Sequence, residues 1–123
     1  MSLARIVFMQ KKLRERFGVE GYVAGLYLEA GYNVNVGFET GEGRVSVRAV
    51  KGGEVLAIDV LGEKRVYGPD VVEAIARKAK SIGAKPVLVL YGSGPSLSKE
   101  ALEKARELGV RVRRVRPPRG VRP

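Results

Sequence analysis

Apolar residues recur along this chain with two periods, and the change from one to the other marks its organisation. From Ala4 to Phe17, Ile6, Val7, Met9, Leu13 and Phe17 form a rough helical stripe with cations opposite, and Gly18 breaks or ends it. A second helix is predicted from Val19 to Ala30, with Val23, Leu26, Tyr27 and Ala30 on one face and Gly31 as its C-terminal stop. The period then falls to two. Tyr32–Phe38 alternates Val34 and Val36 against Asn33 and Asn35, and Gly43–Lys64 reads as two strands joined by a Gly-Gly turn. In the first of these, Val45, Val47 and Ala49 fall on one face and Ser46, Arg48 and Val50 on the other. Turns this short impose an antiparallel meander.

The second half changes style. Gly68-Pro69-Asp70 opens a helix to about Ile82, with Val71, Ile75, Ala79 and Ile82 inward and Arg77, Lys78 and Lys80 outward. Pro86–Tyr91 is apolar throughout, as in a strand covered on both faces. Ser98 caps a helix over Lys99–Leu108, Leu97 and Leu102 form its staple, Gly109 ends it, and Val110–Val115 forms a last strand. The expected fold is α/β: a mixed sheet of about five strands, a three-strand antiparallel meander plus a parallel β-α-β unit, flanked by helices. Residues 1–116 form a single domain. Residues 117–123 are a basic tail, expected to be flexible.

Composition narrows the chemistry. The 123 residues suffice for one core and contain no Cys, His or Trp. This excludes disulfides, thiol nucleophiles and imidazole proton shuttles, and leaves carboxylates as the only strong side-chain metal ligands. The N-terminal stretch resembles neither a signal peptide nor a membrane span, so a cytoplasmic protein without membrane association is expected. Few side-chain amides amid abundant Arg, Lys, Glu and Val suit a hot environment. The net charge of +10 points to a polyanionic partner, most often nucleic acid, because its cations cluster. Lys11, Lys12, Arg14 and Arg16 lie near one end; Arg111, Arg113, Arg114, Arg116, Arg119 and Arg122 crowd the other.

Asp59 is the one ionisable group within Val55–Gly62, and an unpaired charge there would be costly. The Gly-x-Gly of YGSGPS, Tyr91–Ser96, lacks the further residues of a phosphate-binding loop and reads as a plain turn. Asn33 and Asn35 read equally as nucleic-acid contacts or as an exposed strand face. The informative set is Glu20 at the start of the second helix, Glu54 in the turn and Asp59 in the third strand.

On these residues the chain resembles the PD-(D/E)XK nucleases, and among them the archaeal Holliday junction resolvases. Glu20 stands before the Gly31-Tyr32 pair as the family's helix glutamate stands before its Gly-aromatic pair. SVRAVKGGEVLAIDVLGEK lies over the family's segment of metal-binding and lysine residues without a gap. The resemblance covers Glu20 to about Val115. It implies a restriction-endonuclease-like fold, binding of branched or duplex DNA, a role in repair or recombination, and a homodimer.

The departures bear on activity. The resemblance puts the family's metal-binding Asp on Ser46 and its Lys on Leu61, so only Glu20 and Asp59 remain as catalytic and metal-binding positions. Family chemistry needs a divalent cation such as Mg²⁺ held between carboxylates. The expected protein is therefore a DNA-binding module without a cofactor, its site degenerate. Its DNA-binding residues are Lys11, Lys12, Arg14, Arg16, Arg48, Arg111, Arg113, Arg114, Arg116 and Arg119. Arg48 is expected to pair with Asp59 in the vacated site. The alternatives are an active Mg²⁺-dependent structure-selective endonuclease with a migrated lysine, Lys51 or Lys64, and a non-catalytic subunit of a DNA repair complex.

Overall fold

The structure is a computed structural model and describes residues 2–117. Ser2 caps α1 (Leu3–Glu29) through its side chain, and α1 is broken at Gly18, whose φ of 60° and ψ of −130° leave the helical region. On a straight helix Leu13 and Gly21 would stand about 12 Å apart along the axis. Here a Cβ on Gly21 would fall 1.9 Å from the Leu13 carbonyl oxygen. The first arm of α1 is thus folded back on the second, and Gln10 Nε2 donates to the Gly25 carbonyl at 2.9 Å. Gly21 and Gly25, four apart on one face, are what let the two backbones approach so closely. The second arm buries Val23, Ala24, Tyr27 and Leu28. Leu26 and Ala30, expected inward, sit at its margin, because the helix serves the sheet on one side and the first arm on another.

Strands β1 (Asn33–Thr40), β2 (Gly43–Lys51) and β3 (Glu54–Leu61) form the antiparallel meander. Two short strands, β4 (Val66–Tyr67) and β6 (Ser96–Leu97), pair in parallel and tie the loops before α2 (Pro69–Ser81) and α3 (Lys99–Leu108). Sequence periodicity cannot register strands of two residues. Strands β5 (Lys85–Tyr91) and β7 (Arg111–Val115) complete a five-stranded sheet in the order β1-β2-β3-β5-β7, with β3, β5 and β7 parallel, as the β-α-β pattern required. Apolar side chains alternate between two cores. One lies under α1, around Val47, Ile58 and Val89; the other lies under α2 and α3, around Ala57, Ile75 and Leu88. In α2 the fully buried residues are Val72, Ile75 and Ala79, with Val71 and Ile82 partly buried beside them. Among the described residues no helix is long and apolar enough to cross a membrane.

Candidate functional site

The site is built where strand alternation fails. Val36 and Val47 face the α1 core, but Phe38 and Val45, two residues further along their strands, face the α2–α3 core. The change of face occurs at Gly37 and Ser46, the one position skipped in an otherwise continuous β1–β2 register. Gly37 has φ +72°, and a Cβ there would meet the Arg44 guanidinium at 2.9 Å. Because the alternation inverts, Val45 does not share a face with Val47 and Ala49 as the sequence pattern predicts. The same inversion carries Arg44 to the α1 side, where it meets Glu20.

Four charged side chains converge there. The Arg44 guanidinium donates to both Glu20 carboxylate oxygens, at 2.9 and 2.6 Å. Asp59, on the α2 side of β3, accepts the Lys78 ammonium at 2.6 Å, and both side chains are largely buried, 16% and 13% exposed. Lys78 also donates to the Arg44 carbonyl at 2.8 Å. Ser46, only 6% exposed, knits the two pairs together: its amide donates to Asp59 Oδ1 at 3.2 Å, and its hydroxyl accepts the Val60 amide at 3.0 Å. The Arg44 hydrogen bonds hold the Glu20 carboxyl below the usual range against partial desolvation, with smaller help from the Ser46 hydroxyl. Glu20 in turn raises Arg44. Two carboxylates and two cations sum to zero.

No family model matches this sequence, and no characterised protein matches it in sequence. Solved structures do match in three dimensions. A repair endonuclease from Pyrococcus abyssi is 20% identical with a TM-score of 0.61, over 79% of this chain and 44% of its own. Pyrococcus furiosus SfsA, solved in complex with Ca²⁺, is 14% identical with a TM-score of 0.59, over 80% and 56%. A protein of unknown function is 17% identical with a TM-score of 0.60, over 75% and 54%. The fold is restriction-endonuclease-like. The chain spans about half the length of the structures it matches.

Within the restriction-endonuclease-like fold, the residues that the family resemblance aligned with a metal centre do come together. Glu20, Ser46 and Asp59 share one hydrogen-bonded cluster. Both carboxylates are engaged by internal cations, Ser46 offers only a neutral hydroxyl, and Leu61 packs against the α2–α3 core. Among the described residues no group of three or more Asp or Glu side chains is placed to hold a metal.

The expected Arg48–Asp59 pair is not formed. Arg48 lies over the Phe38 ring, 4.9 Å from its centroid, because both side chains occupy the α2–α3 side once β1 inverts. The partner of Asp59 is Lys78, which the helical stripe had placed outward; its position between Ile75 and Ala79, at the edge of the buried face, was the available signal. Lys51, one candidate for a substitute base, donates to the Ala30 carbonyl at the far end of the hairpin. Of the cationic residues, Lys11, Lys12, Arg14 and Arg16 are exposed on the first arm of α1. Arg111 and Arg113 project from edge strand β7, and Arg113 donates to the Tyr27 hydroxyl at 3.2 Å. Arg114 points the other way and donates to the Gly92 and Pro95 carbonyls, bracing the YGSGPS turn. Arg116 is exposed. Arg119, Arg122 and nearly all of the predicted tail lie outside the described residues.

Proposed function

We propose that this protein binds DNA, branched or duplex, through its phosphates and does not cleave it. The observation that carries this reading is the closed Glu20–Arg44 and Asp59–Lys78 network, which sets internal cations against both carboxylates of the metal position. A divalent cation would have to displace a guanidinium and an ammonium from partners at hydrogen-bond distance, with no third carboxylate as recompense. Binding follows from the net charge of +10 and from the exposed cations of the first α1 arm. Contacts of this kind position a protein on the backbone and read little sequence. A homodimer and a role in repair or recombination remain part of this reading through family resemblance.

One observation favours a second reading, an Mg²⁺-dependent endonuclease. The ammonium of Lys78 lies 2.6 Å from Asp59, which supports a reading in which Lys78 serves as the migrated lysine. Incubation of labelled four-way junction and duplex with the protein in Mg²⁺ or Mn²⁺ separates the two. The non-catalytic reading expects retarded but intact DNA. Metal-dependent cleavage that is abolished by Glu20→Ala and by Asp59→Ala would overturn it.

A further inference from the structure

Helix α1 reverses direction on a single residue. Gly18 alone within Leu3–Glu29 leaves the helical region, at φ 60° and ψ −130°, a combination that side chains beyond glycine adopt only under strain. Its surroundings are coded for helix. From Lys11 to Tyr32 the sequence has no Ser, Thr, Asp, Asn or Pro, so neither a capping side chain nor a stop residue makes the turn. A reversal also interrupts the ladder of backbone hydrogen bonds, and straightening restores it.

The two arms are unequally held. The second buries Gly21, Val23, Ala24, Gly25, Tyr27 and Leu28. No residue from Ser2 to Phe17 is buried, and Ile6, Met9, Gln10 and Leu13 are only half-buried. The seam between the arms is partly polar, with Gln10 Nε2 donating to the Gly25 carbonyl and to the Glu29 carboxylate at 2.9 and 3.1 Å. An element with so little buried surface opens at lower cost than the sheet beneath it.

The close contacts across the seam, Leu13 with Gly21 and Gln10 with Gly25, lie evenly to either side of Phe17 and Gly18. Two straightened copies of α1, each about 40 Å long, can therefore cross antiparallel about a two-fold axis at Gly18 and form the same pairs between chains. Gln10 of one copy would then meet the partner's Gly25, and the reverse. The exchange keeps the seam, relieves the backbone at Gly18 and brings together two Phe17 rings that are each 39% exposed in the single chain.

We infer that the first arm of α1 is an exchange element, through which two copies of this chain form a dimer by trading arms across Gly18. A short hinge in a strained conformation favours such exchange. The inference gives a structure to the homodimer of the preceding reading and rests on it only to that extent; DNA binding is not required. A dimer with unexchanged arms would keep that expectation and overturn this one.

The chain has no Cys, so a pair placed across the seam reports on the exchange. A Cβ on Gly25 would lie 3.5 Å from that of Gln10, within disulfide reach. The full chain carrying Gln10→Cys/Gly25→Cys is oxidised at about 10 µM and at about 1 mM. The dilute sample is expected to close within each 13.4 kDa chain, and the concentrated one to give crosslinked dimers on a denaturing, non-reducing gel. Light scattering of the unmodified chain at about 1 mM should show the same dimer. Gly18→Ala, which disfavours the reversal and favours helix, is expected to tighten the dimer at least about tenfold, and three glycines inserted after Gly18 to weaken it by as much. An unmodified chain that stays monomeric at about 1 mM would overturn the inference. So would a dimer whose cysteine pairs close only within each chain, or a folded Gly18→Ala that associates no more tightly. Should Gly18→Ala fail to fold, the cysteine pair and the insertion decide.

Discussion

Asp59 and Lys78 are largely buried, and each compensates the charge of the other. Removing one leaves the other uncompensated, a loss that for buried pairs costs about 3 kcal/mol, whereas replacing both with neutral groups of similar shape is far milder. Lys78→Met and Asp59→Asn are each expected to lower stability by about that amount, and the double variant to recover most of it, read from urea unfolding midpoints. The Glu20–Arg44 pair predicts a dependence on pH. The folded-state value of Glu20 lies below its ordinary 4.5, so the stabilisation is present above that value and lost as pH falls through the lower folded one. Arg44→Met is therefore expected to cost stability near neutrality and little in strong acid. The gap between the two unfolding curves, measured against pH, should close below the usual glutamate range. Asp59 stood out in the sequence because nothing around it was polar. Its partner did not, since Lys78 arrives from a helix nineteen positions on, and period alone cannot say which edge of a stripe faces a strand.

Among the elements, the folded-back α1 hairpin rests on the close approach of its two backbones. Gly21→Ala would set a methyl 1.9 Å from the Leu13 carbonyl oxygen, so the arms must part. A loss of about 2–3 kcal/mol is expected from such overpacking, with faster hydrogen exchange in the first arm than in the sheet. The break at Gly18 was legible as the end of an apolar stripe. The closure was not, because Gly21 and Gly25 carry no hydrophobic signal and act by what they lack. The inversion at Gly37 and Ser46 was hidden for a related reason: alternation predicts faces only while the backbone stays extended, and one residue at φ +72° exchanges them. The parallel β5 and the capped α3 announced themselves because their local chemistry and their tertiary roles agree.

For the molecule as a whole, the positive charge sets a measurable expectation. Removing a side chain that neutralises one phosphate should reduce the slope of log affinity against log salt by about 0.9 on duplex DNA. Lys11→Ala/Lys12→Ala should thus flatten the slope by nearly 2 if both side chains touch phosphate, and by nothing if neither does, as read by mobility shift across a salt series. Arg114→Ala is expected to leave the slope unchanged and to lower the melting temperature, because its guanidinium braces the Gly92–Pro95 turn.

The neutral cluster of Glu20, Arg44, Asp59 and Lys78 also constrains how this protein can diverge. At Asp59 and Lys78 a single replacement strands a charge in a poorly hydrated place, and at Glu20 and Arg44 it removes a two-bonded partner, so acceptable change at these positions should come in pairs. Glu20 with Arg44, and Asp59 with Lys78, are expected to co-vary among descendants of this sequence. A divalent cation between Glu20 and Asp59 would have to displace both cations from their carboxylates. The inversion that brings Arg44 to Glu20 thus ties the two positions together.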